Sequence, residues 1–106
     1  MDTLQRLEQV IAERRSASPD SSYVAKLNAK GIEKIAQKLG EEATETVIAS
    51  LSGSREEVVG ESADLLFHLL VLLQARRITL EEVMAELDRR EGVSGLDEKA
   101  SRSAKE

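Results

Sequence analysis

With 106 residues, 33% of them charged, and a formal net charge of −5, the chain has the length of one domain and lacks the basic surface that duplex nucleic acid requires. It contains no cysteine, which excludes disulfide and thiolate chemistry. Asp2, Arg6 and Glu8 interrupt the start, unlike a secretory signal, and the longest apolar run, Leu69 to Leu73, is too short to span a bilayer, so a cytoplasmic protein is expected.

Hydrophobic residues reach 41%, aromatics only 2%, and there is a single proline, a balance that favours an all-α fold. The first helix is expected from about Leu4 to Arg15, opened by a capping box of Asp2 with Gln5 and carrying a stripe of Leu4, Leu7, Val10 and Ile11. Ser16 to Ser22 reads as a loop punctuated by Pro19. A short helix from Tyr23 to about Asn28 follows, and Gly31 marks a break or bend.

A long helix fits Ile32 to about Ser50, because Ile32, Ile35, Ala36, Leu39, Ala43, Val47, Ile48 and Leu51 recur at three- and four-residue spacing. Gly40 inside it costs helix stability, and its small size suggests close backbone approach. Ser52-Gly53-Ser54 is the turn, and Ser54 with Glu57 reads as a capping box for a helix reaching Arg76. Thr79 with Glu82 repeats that signature and opens a helix ending near Gly92. Residues 1–92 are thus the expected all-α domain, and 93–106 a polar tail, either mobile or held over a ligand. The fold expected is a bundle of four to five helices built on a central antiparallel hairpin. Leu65 to Leu73 is apolar nearly all round, more than a lone small bundle can cover, which predicts completion by a homodimer.

Four acids stand in mirror register about Gly53. Glu45 and Glu61 each lie 8 residues from it, Glu42 and Asp64 each 11. Residues three apart share a helix face, so an antiparallel hairpin would bring the four carboxylates to one level. Without a cation that grouping is repulsive; hard oxygen ligands of this kind suit Mg²⁺, with Mn²⁺ as a substitute. Glu41 adds a fifth acid, open to reading as a supporting group, a base or a solvated neighbour of Lys38. His68, the sole histidine, lies in the most apolar segment and reads as a buried, hydrogen-bonded residue rather than a ligand. Lys26, Lys30, Lys34 and Lys38 would form one basic line if helix continued through Gly31. Either that line is a solvated face, or Lys30, Lys34 and Lys38 hold phosphate oxygens beside the metal. Lys99 and Arg102 in the tail could do the same.

These residues resemble the phosphoribosyl-ATP pyrophosphohydrolase family, within the all-α NTP pyrophosphohydrolase (MazG-like) superfamily. The superfamily pattern, Glu-x-x-Glu followed by Glu-x-x-Asp, falls on Glu42, Glu45, Glu61 and Asp64. The narrower resemblance is carried by residues 22–27 (SYVAKL) with Lys30-Gly31, by residues 38–46 (KLGEEATET), by residues 64–70 (DLLFHLL) and by residues 95–102 (GLDEKASR). Phe67 stands where many relatives have Tyr. The resemblance implies a stand-alone, Mg²⁺-dependent homodimeric enzyme that hydrolyses phosphoribosyl-ATP to phosphoribosyl-AMP and pyrophosphate, the second step of histidine biosynthesis. It implies Glu41 or Glu45 as the base for water, with Lys30, Lys34, Lys38, Lys99 and Arg102 toward the phosphates. Two other readings remain: a house-cleaning (d)NTP pyrophosphohydrolase, or a non-catalytic helical dimerisation module.

Overall fold

The computed structural model describes residues 2–92 and 95–105, and these form six helices with no strand among them. They are α1 (Thr3–Arg14), α2 (Tyr23–Lys30), α3 (Ile32–Ser52), α4 (Arg55–Ala75), α5 (Leu80–Arg90) and α6 (Gly95–Lys105). The chain is all-α, as its composition predicts, with one helix beyond the four or five expected.

Local chemistry sets the boundaries. Asp2 and Gln5 close a full capping box at α1, each side chain 2.9 Å from the other's backbone N–H. Thr79 and Glu82 do the same at α5. At α4 the structure shows the Ser54 half of the box, its Oγ accepting from the Glu57 N–H at 3.2 Å. Ser22 caps α2 by accepting from the Ala25 N–H. Gly31 then takes φ +95°, a conformation that suits glycine, and separates α2 from α3. The four-residue lysine line is therefore broken: Lys26 and Lys30 belong to α2, Lys34 and Lys38 to α3.

α3 and α4 form the expected antiparallel hairpin, and they are the dominant packing pair. Gly53 turns the chain under close contact. A Cβ there would lie 2.9 Å from the Ala49 carbonyl oxygen, so a bare Cα is required. Gly40 shows the opposite: a Cβ would meet nothing within 4 Å, so close backbone approach is not what its small size serves among the described residues.

The core sits at the end of the hairpin away from the turn. Ile11 of α1, Val24 and Leu27 of α2, Ile35 of α3, Leu70 and Val71 of α4 and Leu80 of α5 make up its buried cluster. Glu8 ties α5 to α1 by accepting from the Leu80 N–H at 2.7 Å. The turn half of the hairpin has far less cover: Val47, Ile48, Leu51 and Val59 are 55–82% exposed. α4 is long and apolar enough to cross a membrane on length and composition alone. Its Glu61 and Asp64 argue otherwise, since a bilayer setting would strand two carboxylates within the span.

The polar tail, for which no helix is expected from its composition, is helical over Gly95–Lys105. Asp97 near its start and Lys99 and Arg102 later in it follow the charge order that a helix dipole favours. Val93 and Ser94 lie outside the described residues.

Candidate metal centre

On α3, Ile35, Glu42 and Ala49 are the buried positions, spaced seven apart along one stripe. That stripe faces α4, and it carries Glu42 into the hairpin interior with 7% of its surface exposed. Glu45 lies one turn on, and Glu61 comes from the opposite limb. One carboxylate oxygen from each of Glu42, Glu45 and Glu61 falls within 4.8 Å of the others. Thr46 fixes the two limbs at this level: its hydroxyl lies 2.7 Å from the Glu42 carbonyl oxygen and 3.2 Å from that of Glu61.

The electrostatics follow from this crowding. Burial, and then the neighbouring Glu45 carboxyl, push both Glu42 and Glu61 above the ordinary carboxylate range. The Oε2 atoms of Glu42 and Glu61 are buried with no hydrogen-bond partner. A buried acceptor left unsatisfied is costly, and two of them on facing acids mark a place that could hold a cation. Three carboxylates are a donor set of hard oxygens, and they fit a hard divalent ion.

The other expected site residues divide. Asp64, exposed on α4, lies outside the group of three, although its charge still acts on Glu42 and Glu61. Lys38 reaches the cluster's edge, 3.0 Å from a Glu41 oxygen and 3.9 Å from a Glu42 oxygen. Glu41 is exposed and accepts from both Lys38 and Gln37; Lys38 holds its carboxyl below the ordinary range. Lys34 is close enough for its charge to act on Glu41. Lys30 ends α2, while Lys99 and Arg102 lie on α6, and none of the three is among the leading charges felt by Glu42 or Glu61.

Beside the acids sits a group that sequence spacing did not reveal. His68 is buried as expected, at 6% exposure. Its Nδ1 lies 2.7 Å from the Asp64 carbonyl oxygen, which can only accept, so the ring proton sits on Nδ1. In that tautomer Nε2 accepts from the Tyr23 hydroxyl at 2.9 Å. Phe67 stacks on Tyr23, with centroids 6.1 Å apart. The only Tyr, the only Phe and the only His of the chain are thus in mutual contact. Their rarity was the one signal the sequence offered.

Among the described residues the fold is strand-free, and its central hairpin brings carboxylates from both limbs together in an arrangement that could hold a divalent cation, as an all-α nucleotide pyrophosphohydrolase would require. The chain belongs to the phosphoribosyl-ATP pyrophosphohydrolase family, whose model matches residues 4–91. Relatives named phosphoribosyl-ATP pyrophosphatase cover nearly all of it. One from Erythrobacter litoralis is 74% identical over 96% of this chain and 98% of its own length. Another from Novosphingobium aromaticivorans is 67% identical over 96% and 95%, and one from Rhizorhabdus wittichii 64% identical over 94% of each.

Proposed function

We infer that this chain hydrolyses phosphoribosyl-ATP to phosphoribosyl-AMP and pyrophosphate in histidine biosynthesis, as an enzyme of the cytoplasm. The observation that carries the reading is the pairing of facing, unsatisfied carboxylates across the hairpin, in a chain that belongs to this family along nearly its whole length.

In the proposed site Glu42, Glu45 and Glu61 hold Mg²⁺, with Mn²⁺ a workable substitute, and Asp64 completes the set from its exposed position. An ion held there would supply positive charge against the triphosphate and the departing pyrophosphate. Glu45 takes the proton of the attacking water, because Glu41 is already engaged by Lys38 and Gln37. Glu41 instead holds Lys38, whose ammonium faces the phosphates from the cluster's edge. Lys30 and Lys34 add positive charge on the same side. Lys99 and Arg102 of α6 close over bound substrate.

The active form is a homodimer. Leu51, Val47, Ile48 and Val59 form an apolar face on the turn half of the hairpin, and fully burying each such side chain stabilises by about 1.5–3 kcal/mol. A twofold copy of the same face is self-complementary.

Pyrophosphate release from phosphoribosyl-ATP, with and without EDTA and against dUTP and dCTP, tests the reading. Mg²⁺-dependent turnover selective for phosphoribosyl-ATP is expected. Preference for a dNTP would assign a house-cleaning role, and no hydrolysis of any nucleotide would leave a helical dimerisation module.

A further inference from the structure

The acid cluster has two unlike flanks. On the turn side lies a cleft of about 190 Å³, lined by Glu45, Glu57 and Glu61 with Ile48, Ala49 and Gly53. It holds three carboxylates and no aromatic ring. On the other side, about two turns beyond Glu61 along α4, stands the group of Tyr23, Phe67 and His68. A nucleotide held by its phosphates at the acids must direct its base to one flank or the other.

We propose that Tyr23 is the seat on which the purine ring of the substrate stacks, so that the nucleoside points toward α2 and the pyrophosphate toward the turn. This inference rests on the active-site reading above and adds to it the orientation of the substrate. Tyr23 as a residue is 46% exposed, while the Phe67 ring stacks beside it and His68 meets it edge-on with ring planes at 82°. The hydroxyl is held by His68 Nε2, and His68 is itself held by the Asp64 carbonyl. An exposed aromatic fixed by a stack and a hydrogen bond has little freedom left to lose on binding, which is the economy of a preorganised platform. It is also near the acids and Lys38, because the charges of Lys38, Glu42, Glu41 and Asp64 all act on its hydroxyl. His68 is on this view a positioning residue, linking the orientation of Tyr23 to the backbone of the α4 acid motif.

The chain supplies its own probe. Tyr23 is the only tyrosine and there is no tryptophan, so tyrosine fluorescence reports this one ring. With the full-length protein in Mg²⁺, the non-hydrolysable analogue α,β-methylene-ATP should change that fluorescence, whereas inorganic tripolyphosphate should bind and leave it nearly unaltered. In calorimetry, Tyr23→Leu should weaken the nucleotide analogue by about tenfold or more, the scale of a lost base stack, and leave tripolyphosphate affinity within about twofold. Tyr23→Phe keeps the ring but loses the His68 bond, and should weaken the nucleotide less than Tyr23→Leu does. Equal fluorescence responses to the two ligands, or equal losses of both in Tyr23→Leu, would overturn the stacking seat while leaving the metal site standing. Failure of both ligands to bind the wild-type protein would overturn the active-site reading and the seat together.

Discussion

Thr46 reaches across the hairpin to Glu61, its hydroxyl 3.2 Å from the Glu61 carbonyl while it also bonds back to Glu42 at 2.7 Å. One proton serves both, the shorter contact taking the larger share. The bond sets the relative height of the two limbs at the level where their carboxylates face each other. Thr46→Val keeps the shape and removes the hydroxyl, and should cost about 0.5–1.5 kcal/mol of stability. Thr46→Ser should recover most of it. Because the acids then lose their register, Mg²⁺ should stabilise the valine variant less than the wild type. Thermal unfolding with and without Mg²⁺ checks both effects, and an unchanged Mg²⁺ response would show that the register does not depend on this hydroxyl.

Glu42 and Glu61 make the metal-free protein sensitive to pH in an unusual direction. Both carboxyls are raised above their ordinary 4.5, by burial first and by the neighbouring Glu45 carboxyl next. At these two groups the folded state binds more protons than the unfolded state, so their contribution to stability falls as pH climbs, against the lowered Glu41, Glu82 and Glu86. The loss sets in as pH rises past the ordinary value and is complete above the raised one. Glu42→Gln and Glu61→Gln should each flatten this slope and stabilise the apo protein near neutral pH, while reducing stabilisation by Mg²⁺. Unfolding midpoints from pH 4 to 8 in EDTA, compared between wild type and variants, would show it. Equal slopes would mean that the carboxylates do not confront one another.

Catalysis should respond with the opposite sign at the neighbouring acids Glu45 and Asp64. Glu45→Gln should leave the helical content intact and lower turnover at least about 100-fold, the lower range for loss of a general base. Asp64→Asn should be milder, because Asp64 is exposed and lies outside the closest group of oxygens. Its deficit should shrink at high Mg²⁺. Initial rates of pyrophosphate release across an Mg²⁺ titration separate the two variants, and near-normal turnover of Glu45→Gln would remove it from the base role.

Two glycines should respond in contrary ways to the same added methyl. Gly53→Ala drives a Cβ against the Ala49 carbonyl, a backbone atom that cannot swing aside, and should destabilise by about 1–3 kcal/mol. Gly40→Ala places its Cβ in open space within a helix and should stabilise by about 0.5–1 kcal/mol. Denaturant unfolding of both variants suffices as the check. A destabilised Gly40→Ala would indicate that this surface of α3 is covered in solution.

What could be seen in the sequence was mainly local or mirrored. Asp2 with Gln5 and Thr79 with Glu82 act over three residues, and both boxes form. The hairpin was legible because its acids repeat at equal distances from Gly53. Gly31 could be read as a break but not as a conformation, so the fate of the lysine line stayed open until φ +95° decided it. The Tyr23 to His68 bond joins residues 45 apart, and no periodicity connects them. That three acids close ranks while Asp64 stays outside depends on side-chain direction around each helix, which a count of residues from the turn does not contain. Charge order within the tail was the available sign of α6, and low apolar content outweighed it.

The exposed face at the turn is where the bundle is least complete by itself. Leu51 is 82% exposed and Val59 64%, one from each limb. A helix face this apolar and this uncovered favours association, and the site lies directly below it, since Ile48 and Ala49 line the same cleft as Glu45 and Glu61. Leu51→Glu should therefore shift the protein from dimer to monomer in sedimentation, because a buried, unpaired carboxylate opposes the interface from both copies at once. It should also make the thermal midpoint lower and independent of protein concentration, whereas the wild-type midpoint should rise with concentration. Mg²⁺-dependent turnover should fall along with the dimer fraction if the second copy braces the turn end of the hairpin. A wild-type chain that sediments as a monomer at every concentration tested would end the dimer proposal.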